Sequence, residues 1–398
     1  MSKINDFFFC RVAMADDIKD IDEVDLDMIS GDLKDHFKEE YCLKECKAVT
    51  LEDDVYVLHL SVNGQGKILS GMSNKSFNIH DVGLNKLKTE HMDDHVIDAK
   101  FSPVHPDLFY IGTNQCIHLW DSRTDSSEAT YDFKSIENKA PKPLISFDIN
   151  CQDKYLSAGT EVINHDAFVV FWDIRGKHFL GGYWETLGDD VNVSQFSKKD
   201  PNQLMTASAD GQVNLFDISQ DNEEDALVTS LNTEAPIRSL TYLQDDKVAV
   251  VLDHEESLLW KTYEGQPYRT FSREDFTVAI RRKITPWTYV CGVHHDQEAN
   301  KTFVLSGSSY AANPCLRVLN ISKTKLKPFA DLHSLSKKPA RNMIMRSSAM
   351  FQSQIFITGS EDGLISIWSP GKQNFNEEEV EKEKTSKSSN KKPYQRPS

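Results

Sequence analysis

Short stretches of alternating apolar and polar residues recur along most of the chain. VIDAKF at Val96–Phe101, LISFDI at Leu144–Ile149, VNVSQF at Val191–Phe196 and IRSLTY at Ile237–Tyr242 are examples. Period-two alternation puts the apolar side chains on one face of an extended segment, so each predicts a half-buried strand. Each is followed by a strand of small and apolar residues, a polar turn, and a β-rich strand that ends in an aromatic residue, often with Asp behind it. YIGTNQCIHLWD ends at Trp120-Asp121, YLSAGTEVINHDAFVVFWD at Trp172-Asp173 and LMTASADGQVNLFD at Phe216-Asp217. VAVVLDHEESLLWK ends at Trp260-Lys261, FVLSGSSYAANPCLRVLN at Leu319-Asn320 and IFITGSEDGLISIWS at Trp368-Ser369. A weaker first copy, ILSGMSNKSFNIHD, ends at His80-Asp81.

The equivalent positions are therefore 80, 120, 172, 216, 260, 319 and 368, which makes seven copies. Ala209-Asp210-Gly211 and Glu361-Asp362-Gly363 are tight-turn chemistry in which Gly supplies the positive φ. A polar loop and a fourth strand follow the aromatic end, as at Ala129–Phe133 and Ala226–Ser230. Four strands per copy at a spacing of about 40–50 residues is the signature of a propeller blade. The expected fold is all-β: one seven-bladed propeller at 41–370, with an acidic arm at 1–40 and a mixed-charge tail at 371–398. An open row of blades would expose strand edges. The segment YCLKECKAVTL at Tyr41–Leu51 has no blade of its own and is expected to supply the outer strand of the last one, closing the ring.

The repeats resemble the WD-repeat family of β-propellers. Within that family, ISFDINC at 145–151, AGTE at 158–161, VVFWDIR at 169–175, DGQVNLFDI at 210–218 and DNEEDALVTS at 221–230 resemble one subgroup more narrowly. The family resemblance implies the propeller fold and a protein-binding surface, and little chemistry, since a fold does not fix function. The Gly-His pair that often opens a WD repeat is missing from most copies. His80 stands where Trp is usual, Lys261 replaces Asp, and the sixth copy ends in Leu319-Asn320. Blades one, five and six are thus expected to be irregular. Pieces of the family's buried hydrogen-bond chain remain in Ser208 with Asp210, Ser360 with Asp362 and Trp368, and Thr113 with Trp120.

Composition narrows the function. The 398 residues carry 45 Lys plus Arg against 61 Asp plus Glu, a formal charge of -16. Such a chain repels nucleic-acid phosphates and attracts basic partners, so no direct nucleic-acid binding is expected. No run reaches the roughly eighteen apolar residues of a membrane span. The seven cysteines form no CxxC pair, which reads as reduced thiols in an intracellular setting, nuclear or cytoplasmic. A monomeric propeller within a larger complex fits this.

Two surfaces stand out. WDSR at 120–123 and WDIR at 172–175 put Asp121 with Arg123 and Asp173 with Arg175 in consecutive blades. In the WD-repeat family such paired motifs resemble those of substrate receptors that dock the adaptor of cullin-RING ubiquitin ligases. The plainer reading is an Arg that pairs with the Asp of its own loop. On the opposite rim, Glu161, Asp166, Asp189, Asp190, Asp210, Asp253, Glu255, Glu256, Glu361 and Asp362 are expected to converge and to attract a basic protein segment. The plainer reading there is a solvated acidic surface.

For metals, His91 with His95 and the run His294-His295-Asp296 are placed in loops, without an accompanying thiolate pair, and no metal or cofactor is assigned. Gly64-Gln65-Gly66-Lys67 lacks the spacing of a phosphate loop, and Gly359–Gly363 is a turn rather than a nucleophile elbow. Cys42 and Cys46, four apart on one strand, are expected on one face as packing residues. No catalytic constellation emerges, so the chain is read as a non-enzymatic scaffold.

Overall fold

The computed structural model describes residues 33–49, 54–134, 142–244, 246–310, 314–322, 325–332, 344–352 and 354–371. Expectations for the arm before residue 33 and the tail after 371 lie outside them. The described residues form seven four-stranded antiparallel sheets. Blade one is Val57–Val62, Ile68–Met72, Ser76–His80 and Lys86–His91, and blade two Val96–Phe101, Leu108–Thr113, Cys116–Asp121 and Tyr131–Lys134. Blade three is Leu144–Ile149, Tyr155–Thr160, Val169–Asp173 and His178–Tyr183; blade four is Val193–Phe196, Gln203–Ala207, Gln212–Asp217 and Leu227–Asn232. Blade five is Ile237–Gln244, Lys247–Leu252, Ser257–Lys261 and Arg269–Phe271, and blade six Thr288–Asp296, Lys301–Ser308, Cys315–Ser322 and Lys325–Asp331. Blade seven takes Met345–Phe351, Ile355–Ser360 and Leu364–Pro370, and its fourth strand is Tyr41–Ala48.

That fourth strand closes the ring as expected. Its register runs from Tyr41 opposite Pro370 to Ala48 opposite Leu364. The first strand of each blade touches the first strand of the next, and that of blade seven touches that of blade one. Because side chains alternate across a strand, each sheet has two faces and presents each to a neighbouring blade. The core is accordingly divided into seven clusters, one per blade interface. Met205, Val213 and Leu215 of blade four meet Leu240, Val250 and Trp260 of blade five. Ile357, Ile365 and Ile367 of blade seven meet Val57, Ile68 and Met72 of blade one.

The seven equivalent end positions are all buried: His80, Trp120, Trp172, Phe216, Trp260, Leu319 and Trp368. His80 and Leu319 fill that site without an indole, and the departures in blades one, five and six cost no strand. Those blades keep four strands like the rest, and the outer strand of blade five has only three residues. The indole nitrogens are satisfied in different ways. Trp368 Nε1 donates to Thr358 Oγ1 at 3.0 Å, not to Ser360, and Trp172 Nε1 to the Lys134 carbonyl at 3.2 Å. Trp260 Nε1 donates to the Glu264 carbonyl. Trp120 Nε1 is buried with no acceptor among the described residues. The expected bond from Trp120 to Thr113 is not formed, because the threonine hydroxyl donates to the Cys116 carbonyl at 3.0 Å. Ser208 does bond Asp210, as expected.

Two details depart from period-two reasoning. A register shift between Leu43 and Glu45 inserts one extra residue in the closing strand. A bulge of that kind flips every side chain beyond it, so Cys42 is buried and Cys46 exposed instead of sharing a face. The chain is also docked before the closing strand begins. Phe37 is buried in the cluster between blades five and six, and the Glu39 amide donates to the Phe329 carbonyl at 3.1 Å. Two helical insertions were not read from the sequence: Glu223–Ala226 before the outer strand of blade four, and Arg273–Ala279 after blade five. The second begins with a Ser272–Asp275 capping box, a signal the sequence does carry.

Candidate functional site

The seven first strands surround a central channel, and their inward side chains form its wall. Lys100 Nζ lies 3.3 Å from Asp98 Oδ2 and 3.0 Å from Asp148 Oδ1, and it donates to the Phe147 carbonyl at 2.7 Å. His59 Nδ1 lies 3.4 Å from Asp98 Oδ1, and the Phe196 amide donates to Asp148 Oδ2 at 2.7 Å. This chain of polar contacts links blades one to four. Burial alone would raise the Asp98 carboxyl, but Lys100 and His59 outweigh it and hold it well below the usual carboxylate range. On the far side of the wall, His294 Nε2 lies 2.9 Å from Ser348 Oγ, and burial pulls the imidazole down to about 4.

At one end the channel opens into a depression of about 520 Å3, floored by Leu58, Met72, Ile97, Ile145 and Ile237 and edged by Glu161, Asp190, Arg238 and Arg346. The turns between second and third strands and the loops entering each first strand make this rim. The sequence-predicted acids are on it, but they are not equivalent. Glu255 is 4% exposed: both its oxygens accept from the Arg238 guanidinium, at 2.8 and 3.0 Å, and Oε2 also accepts from the Val290 amide. Glu361 is paired with Arg346. Asp190 Oδ1 accepts from the Val162 amide at 2.7 Å, Asp189 Oδ1 accepts from the Asp190 amide at 2.8 Å, and Glu256 lies 3.2 Å from His254. Asp210 caps its turn by accepting from the Gln212 amide at 2.9 Å, where Gly211 takes φ +85°. Asp166 is exposed, while Glu161, Asp253 and Asp362 are partly exposed. Sequence reading missed Arg238 and Arg346, which face Glu255 and Glu361, because neither lies near its partner along the chain.

On the opposite rim, Arg123 and Arg175 both follow the third strand of their blades and both are exposed. Arg123 folds back onto its own loop: Nη2 donates to Asp121 Oδ2 at 2.6 Å and Nε to Oδ1 at 3.0 Å. Asp173 Oδ1 accepts from the Gly176 amide at 2.5 Å and holds the Arg175 loop.

A polar pair recurs two residues before the buried end position. Asn78 faces Thr89, His118 faces Asp132, Asn214 faces Ser230, Arg317 faces Asp331 and Ser366 faces Cys46, each joined side chain to side chain across the third and outer strands. Blade two differs from the rest. Cys116 and His118, two apart on one strand, share a face, and the strand register sets Asp132 opposite His118. Cys116 Sγ lies 3.2 Å from His118 Nε2 and 3.9 Å from Nδ1, and Nδ1 lies 2.7 Å from Asp132 Oδ1. The Thr113 hydroxyl lies 3.4 Å from Nε2. Burial, with the Asp132 carboxylate adding, pushes the thiol up to about 11. The group does not work as an activated nucleophile, since a thiol held that high is protonated at neutral pH. Sequence reading missed it because Cys-x-His is short and the outer-strand register that brings Asp132 in cannot be read from composition.

The other histidine candidates do not converge. His91 ends the outer strand of blade one and His95 is exposed beyond it. His294, His295 and Asp296 are on the first strand of blade six rather than in a loop. His295 Nδ1 is bonded to Thr302 Oγ1 at 3.0 Å, away from the Ser348 contact of His294. Among the described residues no helix is long and apolar enough to cross a membrane.

Several WD-repeat proteins are similar to this chain. An uncharacterized WD repeat-containing protein of Schizosaccharomyces pombe is 26% identical over 268 residues, covering 64% of this chain and 76% of that one. An uncharacterized WD repeat-containing protein of Saccharomyces cerevisiae is 31% identical over 225 residues, 54% of each chain. The WD repeat-containing protein 89 homolog of Dictyostelium discoideum is 22% identical over 321 residues, 80% of this chain and 83% of that one. No family model matches the chain. The blade architecture is that of a seven-bladed β-propeller, the proteins similar to it are WD-repeat proteins, and no convincing catalytic site is seen among the described residues.

Proposed function

We propose that this chain is a non-enzymatic interaction platform whose acidic rim receives a basic segment of another protein. The depression edged by Glu161 and Asp190 carries this reading: an apolar floor can take a side chain, and carboxylates around it favour Lys or Arg at the edge. Glu255 and Glu361 are committed to Arg238 and Arg346, so the recognising charges are drawn from the other rim acids, of which Asp166, Asp189 and Glu256 are tested first. The test is fluorescence anisotropy of a labelled Lys- and Arg-rich peptide with the full chain, at low and moderate salt. Asp166→Lys, Asp189→Lys and Glu256→Lys together are expected to weaken binding at least about tenfold and to flatten its salt dependence. Unchanged affinity in the triple variant, or no peptide binding by the wild type, dismisses the rim.

A second reading assigns Arg123 and Arg175 to docking a ubiquitin-ligase adaptor. It is supported by two exposed arginines at equivalent loops of adjacent blades. Co-purification of an adaptor that is lost with Arg123→Ala and Arg175→Ala supports it, and its retention removes it. We also propose a kinship with the WD repeat-containing protein 89 type, on the motifs at 145–175 and 210–230.

A further inference from the structure

We propose that Cys116, His118 and Asp132 form a zinc site on the outer part of blade two. Their ligand atoms lie within 4.8 Å of one another, and all three residues are half-buried. Zinc bonds of about 2.0–2.3 Å place the ligand atoms of a tetrahedral site roughly 3.3–3.7 Å apart. The Sγ–Nδ1 distance of 3.9 Å and the Nδ1–Oδ1 distance of 2.7 Å fall on either side of that range. A small rotation of the Asp132 carboxylate, whose side chain is 41% exposed, opens one and leaves room for the ion.

The surroundings fit a ligating histidine. With Nδ1 on the metal, Nε2–H is left to donate, with the Cys116 sulfur at 3.2 Å and the Thr113 hydroxyl at 3.4 Å beside it. That hydroxyl is fixed in turn, because it donates to the Cys116 carbonyl at 3.0 Å. The backbone supplies the rest. Cys116 and His118 project from one face of a strand that pairs with its neighbours on both sides, and Asp132 is held opposite by the ladder. The other cross-strand pairs at this position, such as Asn78 with Thr89 or Arg317 with Asp331, lack this set of ligand types. A thiolate, an imidazole and a carboxylate suit zinc better than calcium or magnesium, which prefer oxygen alone. Three protein ligands leave the fourth position to water or to a side chain of a bound protein. Binding displaces the thiol proton, so affinity falls as pH is lowered.

The experiment uses the full chain without a histidine tag. Zinc content is measured by mass spectrometry after equilibration against a zinc buffer, and cobalt is used as a spectroscopic substitute. One equivalent of zinc is expected, together with a thiolate-to-cobalt charge-transfer band. Cys116→Ser and Asp132→Asn are expected to weaken zinc at least about tenfold, while Cys151→Ser binds as wild type. Absence of stoichiometric zinc in the wild type, or full retention in a folded Cys116→Ser, overturns the site. Should Cys116→Ser fail to fold, the cobalt spectrum of the wild type decides: zinc binding without the thiolate band also overturns it.

Discussion

The Ser366 hydroxyl donates to the Cys46 sulfur at 3.2 Å across 320 positions of chain. It belongs to the ladder in which Tyr41–Ala48 completes blade seven, and so to the one sheet assembled from both ends of the propeller. Every other blade is continuous in sequence. Loss of this strand exposes the edge of Leu364–Pro370 and the face on which Tyr41 and Leu43 pack.

Removing residues 1–48 is therefore expected to yield insoluble protein, or to lower the melting temperature by at least about 10 °C. Lys44→Ala, in the bulge and exposed, should change it by no more than about 1–2 °C. Thermal unfolding followed by circular dichroism checks both. An unaltered melting temperature after the truncation would mean that the ring is held shut by the blade interfaces alone.

The tryptophans offer a comparison at fixed geometry. Trp260→Phe forfeits the bond from Nε1 to the Glu264 carbonyl, whereas Trp120→Phe removes a buried N–H that has no acceptor among the described residues. Trp120→Phe should cost about 1 kcal/mol less than Trp260→Phe in urea unfolding. Trp260→Ala, at a site with no solvent exposure, should cost roughly 3–5 kcal/mol.

Gly359 lies where blade seven meets blade one. A Cβ built there would come within 2.6 Å of Ser347 Oγ and 2.7 Å of Val57 Cβ. Gly359→Ala should destabilise the chain by about 1–3 kcal/mol, and Val57→Ala in the same chain should recover part of that loss. Gly265→Ala, with open space around it, is the neutral control.

Two buried histidines set an acid limit. Burial, helped at His80 by Lys47 and Lys86, lowers both His80 and His294 from 6.5 to about 4. The folded chain keeps them neutral while the unfolded chain takes up protons near pH 6.5. Their contribution is complete above about pH 6.5 and is lost as pH falls from there towards 4. At pH 5 this amounts to about 2 kcal/mol for each histidine. Unfolding free energies at pH 7.5 and 5 should differ by less in His294→Gln than in the wild type, and an equal difference would contradict the assignment.

What the sequence made legible follows from what repeats. The buried ends at Trp120, Trp172, Trp260 and Trp368 are large side chains in matching pattern, and they located the blades. The closing strand could be expected because Tyr41–Leu51 had no partner of its own. Less legible were features set by register or by distant pairing. The bulge at Leu43–Glu45, the ion pair of Arg238 with Glu255, and the meeting of Asp132 with His118 each depend on which residue ends up opposite which. Alternation alone leaves that open. The Arg273–Ala279 helix was missed for a different reason: seven residues give too short a period to be seen between two strands.

The order of synthesis gives the closing strand one more consequence. Tyr41–Ala48 leaves the ribosome before any other strand of the propeller, yet its partner Leu364–Pro370 is made some 320 residues later. At translation rates of about 5–20 residues per second the wait is roughly 15–60 s. Through that interval a half-built ring carries an unmatched β-edge at both ends. Nascent chains are thus exposed to chaperones and to one another for longest at this seam, and the final latch can only snap shut once Leu364–Pro370 has been made.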